Sequence, residues 1–354
     1  MKKLAFILSL MLLVSLFPVA LAQEEVNVYN WEDYIDEQVL EMFEQETGIK
    51  VNYINFTTNE DMMVQLRANP GAFDVIFPSD YCVERMIAES LIQPIDMSKI
   101  DNYKEIDPRL LNADYDPTNE YSVPYMWGTV GILYNSTMVD EPITSWASMF
   151  DQKYAGQVFM MDSYRDTLGA ALKYLGYSMN TRVPAELSAA RDLLIKQKQD
   201  GIVKAYQVDE TKDKMVAGEA DMAVVWSGDA MYAIDLNEDL DYFVPVEGSN
   251  VWCDSAVIPK TAKNKENAEK FIDFLCRPDV AAMNWNYIWY STPNKGAIEL
   301  IEDPEGDYEG YEYSENRTLS PTDEIMDKCE FFRDIPENYL SVYEALWMDL
   351  KNTK

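Results

Sequence analysis

Tryptophans and tyrosines stand beside carboxylates at several widely separated points of this chain. Asn30-Trp31-Glu32-Asp33-Tyr34 is one such stretch and Pro78-Ser79-Asp80-Tyr81 a second. Asp162-Ser163-Tyr164-Arg165-Asp166 is a third, and Trp226-Ser227 and Trp252-Cys253-Asp254 come later. Ile288-Trp289-Tyr290-Ser291-Thr292-Pro293 adds a final aromatic turn. The combination suits the capture of an alkylammonium group. A carboxylate balances and hydrogen-bonds the charged nitrogen, while aromatic faces cover the methylenes and attract the cation. A sugar site also uses aromatic platforms, but with Asn, Gln and Arg mixed among the acids. Taken singly, each residue has a plainer account. Trp226 can fill a core, and Asp33, Asp80 and Asp166 can stabilise helix N-termini. Asp254 resists such an account because it interrupts an otherwise apolar strand.

The whole-chain balance agrees with a cationic ligand. The 354 residues carry 62 Asp and Glu against 29 Lys and Arg, a formal net charge of −33. There is no histidine, which excludes His-liganded zinc, Ser-His-Asp and Cys-His relays, and an imidazole switch. The acid excess argues against nucleic acid and against an anionic membrane surface, both of which need a basic face. Most of these acids are expected on a solvated surface, where they aid solubility and steer cations. Apolar residues make up 47% of the chain, enough for a real core. Glycine is sparse, no phosphate-binding Gly-rich motif occurs, and no cofactor or metal is expected.

Lys2 and Lys3, an apolar run from Leu4 to Phe17 and the closing Ala20-Leu21-Ala22 read as a secretory signal peptide over residues 1–22. The chain beyond it is expected to be exported and soluble, since no later apolar run approaches membrane-spanning length. Cys82, Cys253, Cys276 and Cys329 match no CxxC motif and could pair in three ways, among which the sequence does not choose. Cys276 is expected buried on the apolar face of a helix.

The elements that must position these residues alternate. Val26–Tyr29 reads as a strand, followed by a helix capped by Asp36, carrying Leu40 and Phe43, and stopped at Gly48. Residues 51–56 form a strand, Asn59 opens a helix ended by Pro70-Gly71, 73–77 is a buried strand, and 80–90 a helix. A second set comprises strands at 157–161, 222–226 and 252–258, with helices over 163–176, 184–199 and 212–217. Helix 264–276 carries Ala268, Phe271, Ile272 and Leu275 on one face. The acidic segment 301–324 reads as a surface excursion, and 337–350 as a closing helix with Tyr343 and Leu346 inward. Two α/β sets in some 330 residues predict two domains with mostly parallel sheets, whose ligands lie at the carboxyl ends of strands.

The stretches Tyr29–Tyr34, Glu46–Val51, Phe77–Tyr81, Val123–Thr129 and Tyr290–Asn294 resemble the spermidine/putrescine-binding proteins of bacterial polyamine ABC transporters. The match runs in order through the chain after its leader. The opening Tyr-Asn-Trp-x-x-Tyr and the closing Tyr-x-Thr-Pro-Asn are its most specific parts. The resemblance implies a class II periplasmic binding protein fold, two α/β lobes that close on ligand between them. It implies lobes of residues 26–129 with 254–297 and of 130–253 with 298–354. It places Trp31, Tyr34, Tyr81, Trp226, Trp252 and Tyr290 along the ligand's hydrocarbon chain, and Ser79 at a terminal ammonium. Asp33, Asp166 and Asp254 become the anionic partners, Asp166 standing where the family commonly has Glu. Departures include Ser163 in place of a further carboxylate, Glu32 in place of Thr, and a cleft glutamine that falls on or near Phe332. The implied partners are putrescine or spermidine and a membrane permease, with the binding protein itself a monomer without catalytic activity. Two other readings stay open on the residues alone: the same clamp for another small solute, and an exported glycosidase built on a carboxylate pair.

Overall fold

The computed structural model describes residues 23–353, so the leader expected over residues 1–22 lies outside the described residues. Ten strands are found among them: β1 (Glu25–Trp31), β2 (Lys50–Phe56), β3 (Val75–Ile76), β4 (Ile92–Gln93), β5 (Ser122–Asn135), β6 (Val158–Met161), β7 (Val203–Gln207), β8 (Met222–Trp226), β9 (Leu240–Phe243) and β10 (Val251–Pro259). They join in the order β2-β1-β3-β10-β5-β8-β6-β7, with β4 on β10 and β9 on β5. The outer portions are parallel, β1 beside β2 and β3, and β6 beside β7 and β8. Helices cover these strands and bury them on both faces, which is why β6 and β8 read as nearly unbroken apolar runs.

The link between the two parallel portions is antiparallel and rests on β5. Its first part, Ser122–Thr129, pairs with β10, and its second, Val130–Tyr134, pairs with β8. At about 3.3 Å per residue, one strand thus carries the chain across the molecule. The register of β10 on β5 slips between Asp254 and Ser255, which oppose Met126 and Pro124 and leave Tyr125 as the extra residue. Such a bulge accommodates Pro124, which has no N–H for a ladder, and it re-aims the neighbouring side chains.

Two large apolar clusters flank this link. Phe43, Phe77, Phe271 and Val28 pack on one side, and Trp146, Met160, Leu172 and Tyr343 on the other. Each such side chain withdrawn from water contributes about 1.5–3 kcal/mol, before the entropy of ordering it.

Most expected elements occur, with informative departures. The strand read over 73–77 shortens to Val75–Ile76, because the Asp74 carboxylate accepts from the backbone of Asn27, Lys263 and Asn264 and from the amides of Asn27 and Asn264. The segment 301–324 is more than a surface excursion. Tyr313 and Leu319 are buried against Ala281, Trp285 and Ala297, so the acidic stretch carries an apolar underside. Tyr343 and Leu346 do face inward, and Cys276 is buried. All four cysteines are free thiols.

Candidate functional site

Asp254 lies on β10 opposite the bulge of β5 and is buried at the junction of the two parallel portions. Its Oδ2 accepts a hydrogen bond from the Tyr34 hydroxyl at 2.8 Å, and its Oδ1 has no partner among the described residues. Burial pushes this carboxyl up to about 6, against the opposing influence of the Ser79 and Tyr34 hydroxyls. A buried carboxylate oxygen without a donor is expensive, and it defines a place where a charged N–H group binds well.

Aromatic rings surround it. Tyr290 stands edge-on to Trp252 at 4.9 Å and to Tyr34 at 6.2 Å between centroids. The Trp252 indole nitrogen is buried without a partner among the described residues. Two glycines make this packing possible. A Cβ at Gly228 would lie 2.2 Å from the Tyr290 ring, and one at Gly128 2.6 Å from the Trp252 ring. Tyr290 is held from behind by the segment after residue 301: Thr292 N donates to the Tyr313 hydroxyl at 3.0 Å, and Ser291 Oγ to Leu319 O at 2.8 Å.

Ser79 and Tyr81 lie at the start of the helix Asp80–Ala88. Ser79 bridges to Asp254 across the backbone, and Ser79 and Tyr81 are both fixed by Asn59. The Asn59 side-chain amide donates to Ser79 Oγ at 3.1 Å and to Tyr81 Oη at 3.0 Å. Asp80 is also buried, but its oxygens are occupied by Tyr81 N at 2.6 Å and Cys253 N at 3.4 Å. Burial and the nearby Asp254 charge raise the Asp80 carboxyl well above the usual range.

Asp166 provides a second buried carboxylate, on the other parallel portion. Ser163 caps the helix Tyr164–Tyr174, accepting from Asp166 N and donating its own hydroxyl to Asp166 Oδ2 at 2.5 Å. Asp166 Oδ1 has no partner among the described residues, and burial raises this carboxyl above its ordinary value. Arg165 does not ion-pair with it. That guanidinium lies 4.2 Å over the Phe332 ring and donates to Arg333 O and Asn180 Oδ1. Trp226 is half-buried at the end of β8 and packs against the second apolar cluster.

The structure thus gathers Tyr34, Ser79, Trp252, Asp254 and Tyr290 closely, with Tyr81 joined through Asn59. Trp31 is half-buried, its indole nitrogen donating to Phe77 O at 2.8 Å. Glu32 and Asp33 are exposed in the turn after β1, with no hydrogen bond or ion pair among the described residues. Sequence reasoning missed Asn59, whose only signal is a polar residue on the buried face of an amphipathic helix.

Comparison with known proteins finds relatives over most of the chain. Residues 38–309 match a family model described as a bacterial extracellular solute-binding protein. The chain is 38% identical over 325 residues to the spermidine/putrescine-binding periplasmic protein of Escherichia coli, covering 91% of this chain and 90% of that one. It is 32% identical over 309 residues to the putrescine-binding periplasmic protein PotF of the same species, covering 81% and 83%. A crystal structure of the spermidine/putrescine ABC transporter substrate-binding protein PotD from Streptococcus pneumoniae superposes with a TM-score of 0.85. That pair shares 38% identity over 93% of this chain and 98% of the other.

Proposed function

This chain belongs to the bacterial extracellular solute-binding protein family, and from that membership we propose that it captures a polyamine, putrescine or spermidine, outside the cytoplasm. It holds the ligand between two lobes and hands it to the permease of an ABC transporter. The observation that carries this reading is the pair of buried carboxylates Asp254 and Asp166. Each keeps one oxygen unpartnered among the described residues, and Asp254 lies beside the Tyr34, Tyr290 and Trp252 rings. An ammonium at each position supplies the missing donors and neutralises the buried charge, while Trp252, Tyr290 and Trp226 cover methylenes.

The lobes on this reading are residues 26–129 with 254–297 and 130–253 with 298–354. Strand β5 changes pairing partner at Thr129 and Val130, which makes it a natural hinge. The protein acts as a monomer and without catalysis, since gripping and releasing a cation transfers no proton. Of the sequence-derived ligand set, Trp31, Tyr34, Ser79, Tyr81, Ser163, Asp166, Trp226, Trp252, Asp254 and Tyr290 form the lining. Glu32 and Asp33 contribute at the mouth, where their exposed charges draw cations inward.

Titration calorimetry with putrescine, spermidine, glycine betaine and maltose tests the function. Heat is expected with the polyamines alone; no heat with either polyamine defeats the proposal.

A further inference from the structure

Lys212 lies on the helix Glu210–Val216 and reaches across to Asp229 on the helix Ser227–Leu236, with Nζ 3.2 Å from Oδ1. Both side chains are partly buried, Asp229 more than Lys212. Asp229 is the chain neighbour of Gly228, which lies against the Tyr290 ring, and it is the foremost charge acting on the Tyr290 hydroxyl. Asp209 bears on the same hydroxyl and, with Asp213, also faces Lys212. The Lys212 ammonium further lies 5.3 Å from the Tyr232 ring centroid. An alkylammonium between a carboxylate and an aromatic ring is the arrangement the cleft offers its ligand, here completed by the protein's own side chain.

The carboxylates around the cleft therefore divide by availability. Asp80 spends its oxygens on backbone amides, and Asp229 is held by Lys212. Asp254 and Asp166 each retain one oxygen unpartnered among the described residues. Resting on the polyamine reading, we propose that Lys212 is a specificity-determining residue, an internal ammonium that occupies Asp229 so that the cleft favours a diamine over a triamine. Its removal exposes a third anionic position, reinforced by Asp209, which the third nitrogen of a triamine can neutralise. A diamine gains nothing comparable, because its two nitrogens are already matched.

The test is calorimetry of the exported protein and its variants with putrescine and spermidine. In Lys212→Met the affinity ratio of spermidine to putrescine is expected to rise about tenfold or more over the unmodified protein, as befits one newly available partly buried ion pair. Lys212→Arg keeps the original ratio, and the double variant Lys212→Met with Asp229→Asn loses the gain. Lys212→Gln serves the same purpose as the methionine variant should the latter fold poorly. An unchanged ratio in Lys212→Met or Lys212→Gln, with both polyamines still binding, overturns the role of Lys212 and leaves the polyamine function standing. Failure of the unmodified protein to bind either polyamine overturns both.

Discussion

Tyr34 and Asp254 are 220 positions apart in the chain, yet the Tyr34 hydroxyl donates a 2.8 Å hydrogen bond to Asp254 Oδ2. The bond satisfies one carboxylate oxygen and leaves the other without a partner among the described residues, so the protein itself stabilises this buried charge only in part. Tyr34 is itself held by its carbonyl, which accepts from the Tyr125 hydroxyl at 2.7 Å. Tyr125 is the residue that the β5 bulge makes extra, so a single register slip arranges both partners.

Asp254→Asn is expected to weaken polyamine binding by more than tenfold, because the amide cannot balance an ammonium. The same variant should raise the melting temperature of the unliganded protein near neutral pH. Keeping Asp254 ionised in the fold above pH 6 costs about 3 kcal/mol relative to the unfolded chain, given its rise from 3.8 to about 6. Calorimetry and thermal denaturation of the same preparations check the pair of effects. A variant that loses binding and also melts lower contradicts the account of a strained charge.

Polyamine affinity should fall by about tenfold between pH 7 and pH 5, as one proton competes with the ligand for a carboxylate of pKa about 6. Stability of the unliganded protein moves the other way for this group. Folded Asp254 holds its proton more tightly than the unfolded chain does, so its stabilising contribution is complete below about pH 4 and is lost as pH rises through about 6. Asp166, also raised by burial, acts in the same direction. Titrations across this range, with melting curves at each pH, give the measurement; a flat affinity profile contradicts it.

Tyr34→Phe removes the donor to Asp254 Oδ2 and leaves a second unpartnered buried oxygen. The midpoint of the affinity–pH profile should then shift upward from about 6, because the charged form loses a hydrogen bond that favoured it. A midpoint that stays in place means that this bond does not tune the carboxyl.

Gly228→Val should reduce affinity at least tenfold while the circular dichroism spectrum remains that of the folded protein. A Cβ there meets the Tyr290 ring at 2.2 Å, so the ring must leave its place beside Trp252 and Tyr34. Binding calorimetry on the folded variant reads the effect, and unaltered affinity would show that Tyr290 does not cover the ligand.

Thiol titration should find Cys82, Cys253 and Cys276 unreactive until the protein is denatured, with only Cys329 partly accessible. Burial pushes the Cys253 thiol up to about 12, so almost no thiolate exists near neutral pH. A reducing agent should leave the melting temperature unchanged.

Local signals made much of this protein legible in its sequence. Asp36 and Gly48 mark helix ends by capping chemistry that acts within a few residues, and each serves that role in the fold. The amphipathic face of Ala268, Phe271 and Leu275 likewise predicts a buried helix flank, and all three are buried. The aromatic and carboxylate residue types pointed toward an alkylammonium ligand, and the resemblance to polyamine-binding proteins narrowed that expectation. Which of them meet was another matter. Glu32 and Asp33 are as acidic in sequence as Asp254, but they stand exposed while Asp254 is enclosed. The β5 bulge opposite Asp254, the seat of Asn59 under Ser79 and Tyr81, the buried underside of residues 301–324 and the Lys212–Asp229 pair all depend on contacts between distant segments. Chain connectivity carries propensity, capping and periodicity over a few residues. Burial, and with it the strength of every charge in this cleft, is set by what the rest of the fold brings alongside.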